Sequence, residues 1–130
     1  MLRIVFFAGL FIVAAARADG FGEEEALNWL AIVDDERYEE SWPLTAPLFQ
    51  AQVGQADWVT AASRARAPFG EVKSRSLVMR SEQESLPGVP DGNYVVLVYS
   101  TEFAEKAEAQ ETITLSLTDG SWRVLGYFIK

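Results

Sequence analysis

The chemistry-bearing side chains that this sequence gathers into groups are carboxylates, guanidiniums and indoles, and its 130 residues include neither cysteine nor histidine. Thiolate nucleophiles, imidazole bases, disulfides and Cys/His zinc sites are thereby excluded. Paired carboxylates remain a means of general acid–base catalysis, since Asp and Glu number 19. No spacing singles out such a pair, and no Gly-x-Ser-x-Gly turn, phosphate loop or dinucleotide fingerprint occurs. No catalytic residue and no cofactor is therefore assigned. The acidic runs Glu23-Glu24-Glu25, Asp34-Asp35-Glu36 and Glu39-Glu40 lack the alternating spacing and Gly of a calcium loop. They read as solvated helix faces, and no metal site is expected.

Arg64, Arg66, Lys73, Arg75 and Arg80 make the one basic region. Such a cluster can hold a carboxylate or another anion through bidentate guanidinium contacts. The competing reading pairs these groups with the chain's own carboxylates. Arg75 falls in a strand, and on a helix-facing side it would need a partner. Four tryptophans, Trp29, Trp42, Trp58 and Trp122, fit either a core or a pocket lining. Trp42, between Ser41 and Pro43, is placed at a helix end where its ring could roof an opening. Trp42, Arg75, Arg64 and Arg66 are thus the candidate ligand-binding residues.

The elements that must position these groups are legible in outline. After Glu23-Glu24-Glu25, which suit the positive end of a helix dipole, Ala26, Trp29, Leu30 and Val33 form one apolar stripe. Tyr38 to Trp42 reads as a further helical turn stopped by Pro43. Thr45 is placed to cap a short helix that runs from Pro47 to Val53. Gln55 to Ala67 is the next helix, ended by Pro68-Phe69-Gly70. Glu71 to Ser81 reads as a strand of weak alternation, and Leu86 to Gly92 as a long turn.

The last third is a meander. Tyr94 to Tyr99 is almost wholly β-branched or aromatic. Glu111 to Leu117 alternates strictly, and Asp119-Gly120 is the preferred centre of a two-residue hairpin. That turn sets Leu117 against Trp122, Leu115 against Val124 and Ile113 against Gly126. One face then carries Ile113, Leu115, Leu117, Trp122, Val124 and Phe128. The connection at Glu105-Lys106-Ala107-Glu108 lacks Gly or Pro, so its turn type is open. The expected fold is α+β, about three N-terminal helices packed on a four-stranded antiparallel meander sheet. The second sheet face is not purely polar, which makes Val95, Leu97, Tyr99, Leu125 and Tyr127 a candidate homodimer face.

Residues 1–18 read as a signal peptide. Arg3 gives a positive start, Ile4 to Ala16 is an apolar run of 13 residues, and Ala16-Arg17-Ala18 fits a small-x-small cleavage site. A membrane span would need roughly 20 apolar residues, so no stable anchor is expected after cleavage. Residues 19–130 then form a single α+β domain, periplasmic or secreted. Losing Arg3 and Arg17 leaves 9 basic and 19 acidic residues. A surface of net charge −10 repels nucleic acid phosphate, so no nucleic acid partner is expected.

A set of residues in fixed order carries a family likeness. It comprises Ser41-Trp42, Trp58, Arg75, Leu86-Pro87-Gly88, Asp91-Gly92-Asn93-Tyr94, Tyr99-x-Thr101-x-Phe103, Glu111-Thr112 and Asp119-Gly120-x-Trp122-Arg123-Val124-x-Gly126-Tyr127. This resembles a family of exported bacterial proteins known only as a domain of unknown function (DUF-4019). The family pattern carries a Gly in the turn before Tyr38, where this chain has Asp35-Glu36-Arg37. The resemblance implies helices packed on a curved sheet in the manner of cystatin-like or nuclear-transport-factor-like folds. It implies no activity.

The functional expectation is a non-catalytic periplasmic binding or protein-interaction module, acting as a homodimer or with a periplasmic protein partner. The alternative is a small pocket enzyme of isomerase or hydratase type using a buried carboxylate. An envelope structural or stress-related factor without a small ligand is the third reading.

Overall fold

A computed structural model describes residues 20–130. The expected signal peptide, residues 1–18, lies outside them. Helices come first, as α1 (Glu23–Asp34), α2 (Tyr38–Ser41), a 3₁₀ turn (Trp42–Leu44), α3 (Pro47–Gln52) and α4 (Gln55–Arg66). Strands follow, as β1 (Val72–Gln83), β2 (Tyr94–Phe103), β3 (Lys106–Thr118) and β4 (Ser121–Ile129). The sheet order is β1-β2-β3-β4, all antiparallel, so the α+β meander is the observed architecture. The polar stretch at Lys106 and Glu108 belongs to β3 itself, which follows β2 after a two-residue turn at Ala104-Glu105.

The apolar stripe of α1 packs Ala26, Trp29, Leu30 and Val33 against Val95, Leu97, Tyr99, Ile113, Leu115 and Val124 of the sheet. Trp58 of α4 joins that core, with its ring centroid 5.7 Å from Trp29. Burying two indoles leaves two N–H donors to satisfy. Ser41, fully buried, meets both needs. Its carbonyl accepts from Trp29 Nε1 at 3.0 Å and its hydroxyl from Trp58 Nε1 at 2.8 Å.

Between α1 and α2, Glu36 adopts φ 63°, a left-handed conformation that strains a residue bearing a Cβ. The break between the two helices is therefore made at some conformational cost. Thr45 does not cap α3, whose N-cap is Ala46. The Thr45 hydroxyl instead donates to the Trp42 carbonyl at 2.6 Å and closes the 3₁₀ turn.

The hairpin turn is as expected, with Asp119 at φ 51° and Gly120 at φ 81°. Leu117 faces Trp122 and Leu115 faces Val124. Beyond that the register departs from expectation, because Thr114, not Ile113, faces Gly126. Leu125 is an extra residue on β4, a bulge that reverses the facing of everything after it. Tyr127 therefore turns inward against Ile113, while Phe128 points out and is 60% exposed. Further bulges place extra residues at Lys73 and Val78 of β1. The same parity corrects the candidate dimer face. Val95, Leu97 and Tyr99 are buried beneath the helices, Tyr127 packs on that core, and Leu125 is half-buried at the bulge.

Candidate functional site

Beneath the helices, six side chains from six elements form one polar cluster. Asp34 ends α1, Arg66 ends α4, and Arg75, Thr101, Glu111 and Tyr127 come one from each strand. Glu111 has no exposure. Its Oε1 accepts from Arg75 Nε at 2.8 Å and from the Thr101 hydroxyl at 2.6 Å. Its Oε2 accepts from the Tyr127 hydroxyl. The other side of the Arg75 guanidinium grips Asp34 with two bonds, Nη1 to Oδ2 at 2.9 Å and Nη2 to Oδ1 at 3.0 Å. Arg66 Nη2 adds a bond to Asp34 Oδ1 at 2.9 Å. Two cations and two carboxylates thus cancel.

Burial works against the charge on Arg75, but its hydrogen bonds to Asp34 and then Glu111 outweigh that effect and hold its pKa above the ordinary arginine value. Tyr127 is raised above its usual value of 10, first by burial and then by the Glu111 charge. Tyr99 is pushed up to about 12, again by burial first and by Glu23 second. Its hydroxyl is buried with no hydrogen-bond partner among the described residues. Chemically the cluster is a clamp. It ties the C-terminal ends of α1 and α4 to all four strands, and both oxygens of its one fully buried carboxylate are already engaged.

The candidate ligand-binding residues are only partly brought together. Arg66 and Arg75 share Asp34, whereas Arg64 is exposed and two positions away, a spacing that turns side chains apart on a helix. Trp42 is half-buried and donates its Nε1 to the Val53 carbonyl at 2.8 Å, which fixes the end of α3. A cavity of about 370 Å³ does adjoin Arg66, but Asp34, Glu36 and Glu71 also line it, so an anion there would meet three carboxylates.

Sequence reasoning missed Glu111 and Asp34, though signals for both existed. Strict alternation puts Glu111 on the same face as Ile113 and Leu115. Asp34 follows Leu30 by four residues and so extends the apolar stripe of α1.

A larger cleft, about 690 Å³, opens at the other end of α1. Phe21, Tyr94, Val95, Leu117 and Trp122 give it apolar walls, and Glu82 and Glu84 stand among its polar lining. Val95 and Tyr94 are buried, while Phe21 and Leu117 are exposed. Helix α1 has 12 residues, so this cleft and the Asp34 clamp are separated by about 18 Å of helix.

No helix among the described residues is long and apolar enough to cross a membrane. A family model described as "Protein of unknown function (DUF4019)" matches residues 25–127. No curated protein matches the chain.

Proposed function

The chain belongs to the DUF4019 family of proteins of unknown function, and from that premise we propose a non-catalytic binding module, exported to the periplasm or secreted. Its ligand site is the cleft bounded by Phe21, Leu117 and Trp122. The observation that carries this reading is the division of labour along α1. The fully buried carboxylate, Glu111, is consumed inside the clamp at one end. The open apolar cleft lies at the other end, where its carboxylates Glu82 and Glu84 are exposed. An enzyme of the isomerase type needs its desolvated carboxylate in the cleft itself. Export is supported by the positive, apolar and small-residue pattern of residues 1–18. Mixed aromatic and aliphatic walls with a few polar groups at the rim suit an apolar or amphipathic small molecule.

The test is binding of a neutral apolar dye, Nile red, read by its fluorescence, with native mass spectrometry of the purified protein alongside. Saturable dye binding is expected, and Leu117→Glu should abolish it while Arg64→Ala leaves it unchanged. No saturable binding and a bare protein mass would end this reading.

A further inference from the structure

We infer that β1 is an assembly edge, and that its occupant is β1 of a second copy of this chain. The inference goes beyond the ligand reading and does not depend on it. The two edges of the sheet are treated differently. The outer side of β4 is bridged at Val124 by the chain itself. Thr45 forms a parallel bridge to Val124, Ala46 N–H donates to the Val124 carbonyl at 2.7 Å, and Arg123 Nε donates to the Thr45 carbonyl at 3.1 Å. No backbone hydrogen bond among the described residues reaches the outer side of β1. At 12 residues the strand offers a bare edge about 40 Å long. Three consecutive apolar residues stand in its middle, with Leu77 37%, Val78 58% and Met79 52% exposed. Edges of this kind template pairing with another strand.

Parity and charge point to a second copy. Facing residues share a side of the sheet, so partners on β2 put Arg75 and Leu77 on the helix side before the bulge, and Arg80 and Glu82 after it. The bulge at Val78 thus switches the inward set from odd to even positions. Two copies pairing antiparallel about a two-fold axis must match inward residues with inward ones. The central register that does so places the axis between Val78 and Met79. It sets Val78 of each copy against Met79 of the other, lays Leu77 along the stem of Arg80, and brings Lys73 opposite Glu84, twice by symmetry. Sliding by two residues in one direction sets Arg75 against Arg80, and in the other it sets outward-facing Met79 against inward-facing Arg80. The bulge therefore selects the register, and the charges reinforce it.

Multi-angle light scattering on the purified protein at micromolar concentration should read twice the chain mass. Val78→Lys should give a monomer with unchanged near-ultraviolet circular dichroism, since the side chain is mostly exposed within one copy. Lys73→Glu should weaken the dimer about tenfold, and adding Glu84→Lys should restore it. If Val78→Lys disturbs the fold, this charge-reversal pair decides alone, because Lys73 and Glu84 are both exposed. A monomer at every concentration would overturn the inference. So would a dimer indifferent to Val78→Lys and to the charge reversal.

Discussion

Glu111 is the only acidic side chain among the described residues that is buried outright, and Arg75 is the cation set against it. A buried ion pair is weak evidence for net stability, but removing one partner leaves the other charged and desolvated. Glu111→Gln is accordingly expected to cost about 3 kcal/mol in urea unfolding, at the lower end for a broken buried pair. Glu82→Gln, which removes the exposed partner of Arg80, should cost under about 1 kcal/mol. Equal losses from the two variants would mean that Glu111 is hydrated in the native protein. Arg75 was legible as a residue in need of a partner, because it is charged and falls within a strand. The partner was signalled only by the alternation that gives it the face of Ile113 and Leu115, and a Glu at the end of such a run looks like a strand terminus. Only the full length of β3, which begins at Lys106, makes Glu111 internal.

Among the elements, β4 has most to do with where chemistry can occur. Its turn was readable because Asp119-Gly120 needs two left-handed residues. Its bulge was not, since Val124-Leu125 and Tyr127-Phe128-Ile129 are apolar neighbours and hide the phase of the alternation. The consequence reaches the clamp, because Tyr127 meets Glu111 only after the extra residue has turned it inward. Deleting Leu125 should remove the bulge while keeping Gly126 opposite Thr114 and Tyr127 opposite Ile113. Tyr127 would stay beneath the helices and Glu111 would keep both oxygens engaged. The expected result is a protein that retains a cooperative thermal transition. A deletion variant that lost it would show that the fold needs the bulge itself, beyond the phase it sets. The helix boundaries were legible to within a residue or two, because Pro43, Pro47 and Gly54 punctuate them. The left-handed Glu36 was not, as nothing in its own chemistry asks for that conformation.

At the level of the whole molecule, Tyr38, Tyr99 and Tyr127 lie on α2, β2 and β4, and all three are raised above 10, chiefly by burial. An unfolded chain releases these protons near pH 10, while the folded one retains them, Tyr99 to about 12. The stability linked to them is therefore complete below about pH 10 and is lost as pH rises above it. In a Tyr94→Phe background, which leaves these three tyrosines alone, alkaline titration should show tyrosinate absorbance and far-ultraviolet circular dichroism changing together, in one step above pH 10. Tyrosinate forming near pH 10 with the dichroism intact would contradict this burial. The two sheet edges carry a different kind of consequence. The strap over β4 joins Thr45 to Arg123, positions 78 apart in the chain, and Tyr127 completes the clamp from the same strand. Contacts of such long sequence separation form late, since the loop between them must close first. Until its last strand has been made, the chain has neither its strap nor its central ion cluster, so neither sheet edge nor clamp can be finished while β4 is still being synthesised.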